Sequence, residues 1–378
     1  MIKILVIGAK LQGIEAIYLA KKAGYFVTVI DHNPQAPGVG LADRYVEADI
    51  FDSDRILPCF LKTDFIIPAI EDSAVLDRIR DYSGKTGARV IFDWNAYEIS
   101  VSKQRSNELF DSCGLALPQP YPQCGYPVIL KPDGSSGSSQ VCKAESRQEL
   151  EQYLQHHKGE DIVIQEFLKG PSYSLEVLGD GEHFFFPQIT EVVTDESYDC
   201  RRITAPAQLT PSEEEQMREI GQKLAAVLKI KGIFDIEVIN HNGVLKLLEI
   251  DARLPSQTPI SVYHSTGMNM VEMLVQLAAG AAAEIAANKT RRVCIYQQVQ
   301  VSEGKVRTVG EHVMGSSRNL RVIRDFFGAQ EAITDYTAGS HVWKAIIVVT
   351  GKDVEEAEQK FMTFIQKVKD DEISRNRY

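Results

Sequence analysis

Phe234-Asp235-Ile236-Glu237-Val238, then His241-Asn242-Gly243, then Leu247-Leu248-Glu249-Ile250-Asp251-Ala252-Arg253: this stretch decides the fold. Side chains two apart on a strand point to one face, so Asp235 sits beside Glu237 and Glu249 beside Asp251. Asn-Gly between two alternating runs signals a hairpin, which brings the acidic faces together. Carboxylates half-buried side by side repel one another and need a compensating cation to ionise together. A hard divalent ion with oxygen ligands meets that need, and Mg²⁺ held partly by substrate phosphates fits best. A solvated strand face is the plain alternative. The aliphatic residues between the acids, and Arg253 closing the cluster, favour the metal.

Around this hairpin, 378 residues leave room for two or three domains with substantial cores. A net charge of −11 argues against a general nucleic-acid binder. The cysteines at 59, 113, 124, 142, 200 and 294 form no Cys-x-x-Cys pair, which argues against zinc and for reduced thiols in a cytoplasmic protein. The opening MIKILVIGAK lacks the core of a signal peptide, and no apolar run reaches the length of a membrane span. A soluble protein without a membrane partner is expected.

Residues 1–94 alternate short buried strands with helices and predict a small parallel α/β unit. Residues 95–125 read as mostly helical and end at the Pro-rich run 117–120. Strands follow at 127–131, 139–144 and 162–167, with a helix over 146–156. From 172 strands dominate, interrupted by a Glu-rich helix over 211–229 and another over 270–283. Residues 291–378 supply further strands and a helix over 354–369, with 370–378 expected to fray.

Gly8-Ala9-Lys10-Leu11-Gln12-Gly13 opens a helix after a strand, and Asp31 ends the next strand, an imitation of the dinucleotide fingerprint. Lys10 replaces the second glycine and obstructs a pyrophosphate, which counts against an oxidoreductase. The helix N-terminus at Leu11 and Gln12, with Lys10, could instead hold an amino-acid carboxylate; simple packing of helix on sheet is the alternative. Glu71 and Asp72 follow a parallel strand where ligands bind in such sheets. They suit a substrate ammonium or, equally, a helix N-cap. Further on, Lys131 ends a buried strand and Gly134-Ser135-Ser136-Gly137-Ser138-Ser139 follows at once. Backbone amides of small residues beside a lysine suit phosphate, although no Walker Gly-Lys-Ser/Thr closes the loop. The loop Arg253-Leu-Pro-Ser256-Gln-Thr258 leaves the acidic strand directly and could hold an activated carboxylate, or could merely be stiffened by its proline.

Taken in order, Ser100–Lys103, Pro127–Lys131 with its Gly/Ser loop, Gln165–Gly170 and Glu249–Arg253 resemble the ATP-grasp carboxylate–amine ligases. That resemblance implies an α/β ATP-grasp fold behind a Rossmann-like pre-ATP-grasp domain. The divisions would be 1–94 (pre-ATP-grasp), 95–171 (small lid subdomain), 172–290 (large subdomain with the metal site) and 291–378 (a C-terminal α/β part packed on the core). It implies ATP and Mg²⁺ as cofactors. Lys103, Lys131, Gly137 and Ser138 would contact phosphates, and Glu166, Phe167 and Leu168 would border adenine. Asp235 or Glu237, with Glu249 and Asp251, would be metal ligands, and Lys131 and Arg253 would face the transferred phosphoryl group. Two positions depart from the family: Asp251 where asparagine is usual, and Ser172 where a larger ribose-binding residue often stands. The runs 7–16, 130–139 and 251–259 most resemble family members that couple amino acids. They imply L-lysine and an ornithine-like amino acid as substrates, with Lys10, Leu11, Gln12, Glu71, Asp72, Ser256 and Thr258 as candidate binding residues. A carboxylase of the purine type is the rival within the family, and a silent nucleotide-binding module the rival outside it.

Overall fold

A computed structural model describes residues 1–134, 140–285 and 290–375. The first unit is a fully parallel sheet of five strands, ordered Arg44–Glu47, Phe26–Asp31, Lys3–Ile7, Phe65–Pro68 and Arg89–Val90. Helices Leu11–Lys22, Ser53–Phe60 and Ser73–Thr86 connect its strands. The central strand is covered on both faces, which is why Ile4, Leu5 and Val6 are all buried and its sequence does not alternate. The strand order reverses beside Lys3–Ile7, and the carboxyl ends at that reversal are where ligands bind in open α/β sheets. Gly8 and Ala69 meet there. Gly8 has φ +97°, and a Cβ on it would lie 2.5 Å from the Ala69 carbonyl oxygen, so only glycine fits.

Helices Trp94–Ser100 and Lys103–Ser112 lead out of this unit. Residues 113–125 then carry no regular helix, where more helix was expected. Pro118, Pro120 and Pro122 lack the amide that a helix interior needs. Next comes a small antiparallel sheet ordered Cys142–Ala144, Val128–Pro132, Ile162–Glu166. Its core is Val128, Leu130 and Ala144 packed with Leu150 of helix Arg147–His156.

The largest sheet runs Val244–Asp251, Lys231–His241, Ser172–Asp180, Ile189–Thr194, Cys200–Ala205, Val293–Ser302, Val342–Gly351, Glu331–Thr334, Arg321–Arg324. Cys200–Ala205 pairs directly with Val293–Ser302, so strands from 172–290 and 291–378 share one sheet. Helix Val354–Arg375 packs Phe361 and Phe364 against Trp343 and its neighbours. It runs to Arg375, into the 370–378 stretch expected to fray, of which 376–378 lie outside the described residues. Ser374 Oγ donates to the Asp370 carbonyl, Gln366 Nε2 to the Asp370 carboxylate, and His341 Nδ1 lies 2.8 Å from Glu372. Among the described residues, no helix is long and apolar enough to cross a membrane.

Candidate active site

The hairpin turns at His241-Asn242-Gly243, with Asn242 and Gly243 both at positive φ. Asp235 stands opposite Asp251 and Glu237 opposite Glu249, so all four acids share a face. The other face carries Ile236, Val238, Leu247 and Ile250, each no more than 1% exposed. Burying each of these contributes roughly 1.5–3 kcal/mol, which anchors the acids in place. The register slips by one residue after Glu237, where Leu247 pairs with Val238 and Leu248 is the extra residue. Such a bulge re-aims side chains. Here it turns both Leu248 and Glu249 toward one cavity, which strict alternation along the strand does not foresee. Strand Ser172–Asp180 flanks the hairpin and sets Glu176 opposite Asp235 and Ser174 opposite Glu237. Glu176 is a further buried acid that sequence reasoning passed over, although Tyr173-Ser174-Leu175-Glu176-Val177 alternates in the same manner.

Crowding perturbs these acids. Burial first, then Glu249 and Asp251, push the Glu237 carboxyl up to about 8, against the opposing pull of Lys131 and Arg253. Burial likewise raises Asp251 to about 7, with Arg253 opposing and Glu249 and Glu71 adding to the rise. Asp235 is held well above the usual carboxylate range by burial and by Asp251. Its Oδ1 accepts no hydrogen bond among the described residues. Arg253 is the local counterion: Nε donates to Glu71 at 2.7 Å, Nη2 to Asp251 at 2.9 Å, and Nη1 lies 3.9 Å from Asp235. Burial works against its charge, but Asp251, Glu71 and Asp235 together hold it firmly protonated.

A cavity of about 580 Å³ joins this face to the small sheet. Lys103, Lys131, Glu166, Phe167, Leu168, Asp235, Glu237, Glu249, Asp251 and Arg253 all border it, and so do Glu71, Ser256 and Thr258. Lys103 starts its helix after Ser102, and Asp133 fixes that start by accepting from the Lys103 amide and the Ser102 hydroxyl. The Glu166 carboxylate is bound by Lys246 and by the Gln119 amide. Leu168 donates its amide to no group among the described residues and faces the cavity. Gly137 and Ser138 lie outside the described residues.

The first domain contributes less directly. Gln12 Nε2 donates to Glu71, while Gln12 Oε1 is buried without a partner among the described residues. Lys10 is exposed, and neither it nor Leu11 borders the cavity. Asp72 caps helix Ser73–Thr86 by accepting from the Val75 amide at 3.0 Å, the N-cap alternative of its two readings. Asp31 accepts from the Ala9 amide at 2.8 Å, a local role that replaces the ribose contact of a dinucleotide site. Arg202 pairs with Glu358 on the final helix. Sequence reasoning missed Glu311 and Asp199, which border the cavity from distant segments, while Gln257 borders it from within the candidate loop 253–258.

Residues 102–257 match the ATP-grasp domain family. Over 359 residues the chain is 36% identical to the 3-methyl-D-ornithine–L-lysine ligase of Methanosarcina mazei, covering 94% of this chain and 93% of that one. It is 35% identical to the Methanosarcina acetivorans ligase of the same name, covering 97% and 98%. The chain is a member of the ATP-grasp ligase family. It groups there with the 3-methyl-D-ornithine–L-lysine ligases and is an ATP-dependent carboxylate–amine ligase. Its fold is also that of the biotin carboxylase domain of Hydrogenobacter thermophilus 2-oxoglutarate carboxylase, at a TM-score of 0.74 and 17% identity, covering 95% of this chain and 88% of the other.

Proposed function

We propose that the protein joins the carboxylate of 3-methyl-D-ornithine to the ε-amine of L-lysine, the coupling step of pyrrolysine biosynthesis, as a soluble cytoplasmic enzyme. The names of its relatives support the substrates. The observation that carries the chemistry is a single cavity bordered by two lysines, the acidic hairpin and Arg253.

In this reading the small sheet covers ATP. Lys103 and Lys131 hold its phosphates, and Phe167 and Leu168 border adenine. A carboxylate oxygen of the acid attacks the γ-phosphorus, the bond to ADP breaks, and an acyl phosphate forms. Arg253 and Lys131 offset charge on the transferring group, a reaction that depends chiefly on positioning and electrostatics. The neutral ε-amine then attacks the acyl carbon, phosphate leaves, and the nitrogen loses a proton.

The donor set fits Mg²⁺. Four carboxylates face one way, three of them hold protons above the usual range, and the buried Asp235 Oδ1 lacks a partner. Among the described residues no group of three or more acid, histidine or cysteine side chains is arranged to hold a metal ion by itself. Glu249 and Asp251, with Asp235 or Glu237, would therefore share the ion with phosphates and water. When bound, the ion supplies charge neutralisation at the transferring phosphoryl group. Gln12 Oε1 and Glu71 stand where the first domain meets Arg253, and with Lys10 and the Leu11 amide they would receive the second amino acid. Ser256 and Thr258 would hold the activated acid.

The test is ADP release by purified protein with Mg²⁺-ATP and pairs of amino acids, read with product mass. Release should need both L-lysine and 3-methyl-D-ornithine or D-ornithine, with a product lighter than their sum by one water. Release indifferent to the amine overturns the reading.

A further inference from the structure

Helix Leu11–Lys22 of the first domain grips the loop 253–258 at both ends. At the entry, Gln12 donates to Glu71, which in turn accepts from Arg253 Nε at 2.7 Å. At the exit, the Ile260 amide donates to Glu15 Oε2 at 2.8 Å, across 245 residues of sequence. Gln12 and Glu15 are three residues apart, so they are neighbours on the helix surface. Glu15 is 1% exposed and does not border the cavity, whereas Ser256, Gln257 and Thr258 all do.

Between the two grips the backbone is strained. Gln257 has φ +87° and ψ −51°, and the Thr258 amide turns back to the Ser256 carbonyl at 3.2 Å. This is the γ-turn with positive φ, a rare and strained conformation. Such strain persists only where the surrounding structure over-determines it. The turn runs directly into helix Thr258–Thr266, and Gln257 at its N-cap makes no side-chain cap. Pro259 has no amide, so Ile260 carries the next donor that the helix cannot satisfy itself. The cap comes from Glu15, in another domain. Burial pushes the Glu15 carboxyl up to about 8, opposed by the Ile260 amide, the Tyr296 hydroxyl and the Gln257 amide. Near neutral pH it therefore accepts largely as the uncharged acid, a role that a glutamine amide can also fill.

We propose that Glu15 is a positioning residue. By capping helix Thr258–Thr266 from the first domain, it holds the strained turn Ser256-Gln257-Thr258 against the cavity in the conformation that binds the activated acid. The substrate role of that turn rests on the ligase reading above; the cap does not.

The experiment uses the full chain and Glu15→Met, which keeps the length of the side chain and removes its acceptor. Hydrogen–deuterium exchange, read by mass spectrometry on peptides spanning 256–262, should quicken roughly 3- to 30-fold, the factor of a lost helix cap. Peptides from strand Val342–Gly351 should exchange as in the parent. In ADP release with Mg²⁺-ATP, L-lysine and D-ornithine, the KM for D-ornithine should rise by a similar factor, because less of the protein holds the binding conformation. The KM for ATP should stay nearly unchanged, a split that a general loss of stability does not produce. Glu15→Gln keeps the acceptor and should return both readouts to within about 3-fold of the parent. Glu15→Asp withdraws the acceptor by one methylene and should reproduce the Glu15→Met pattern if that variant fails to fold. Unchanged exchange over 256–262 overturns the cap. Faster exchange with an unchanged KM for D-ornithine, or with the KM values for ATP and D-ornithine rising together, overturns the positioning role. Absence of amino-acid-dependent release from the unsubstituted protein removes the ligase reading and the positioning role with it, while the exchange result still decides the cap.

Discussion

Replacing Arg253 with methionine removes the guanidinium but keeps an unbranched apolar stem. The structure sets the size of the effect. Arg253 is 11% exposed and bridges Glu71 and Asp251, with Asp235 at 3.9 Å. Removing one partner of a buried ion pair costs about 3–5 kcal/mol, because the remaining charge is left uncompensated. That figure applies only while the acids are ionised. Asp251 has a folded-state value of about 7, above the roughly 3.9 of an unfolded aspartate. The folded state therefore holds its proton more tightly, and stability is lost as pH rises from about 4 through 7. Without Arg253 the proton is held more tightly still, so the penalty grows with pH. In metal-free buffer, Arg253→Met should lose about 4 kcal/mol at pH 8 and only about 1–2 kcal/mol at pH 5.5, where Asp251 is neutral in both proteins. Urea unfolding followed by far-UV circular dichroism at the two pH values measures this. Equal losses at both pH values, or a variant as stable as its parent at pH 8, would refute the electrostatic account of the hairpin.

Glu249→Gln should cut turnover by at least about 10²-fold while leaving the urea midpoint within experimental error of the parent, since it removes a charge from the cavity rather than an apolar contact. Full activity in this variant would show that Glu249 holds no metal. Mg²⁺ should raise the melting temperature more at pH 8.5 than at pH 6, because Glu237 at about 8 and Asp251 at about 7 must shed protons to bind it. Differential scanning fluorimetry with and without Mg²⁺ reads this directly, and a shift that shrinks as pH rises contradicts it.

The hairpin was legible in the sequence because its information is local. Alternation fixes the faces, Asn-Gly fixes the turn, and the aliphatic residues show which face is buried. The bulge at Leu248 was not legible: Leu247-Leu248 looks like any apolar pair until the partner strand shows which residue is extra. Glu176 and Glu311 escaped for a related reason. Each reaches the site through pairing or packing with segments far along the chain, and no local spacing announces that. Asp72 has two local readings, cap and ligand, and only its hydrogen bond to the Val75 amide distinguishes them. Of the stretch 95–125 read as mostly helical, the part after Ser112 is not helix, and its prolines at 118, 120 and 122 are the physical reason. The joining of 291–378 to the central sheet through Cys200–Ala205 and Val293–Ser302 is likewise a long-range pairing.

The central claim is that the acid is activated by transfer of a phosphoryl group to its own carboxylate. D-ornithine carrying ¹⁸O in both carboxylate oxygens, turned over with L-lysine and Mg²⁺-ATP, tests it most directly by mass analysis of phosphate and product. An acyl phosphate requires one labelled oxygen to leave in inorganic phosphate and one to remain in the amide. Phosphate free of label, formed alongside amide, would contradict the account.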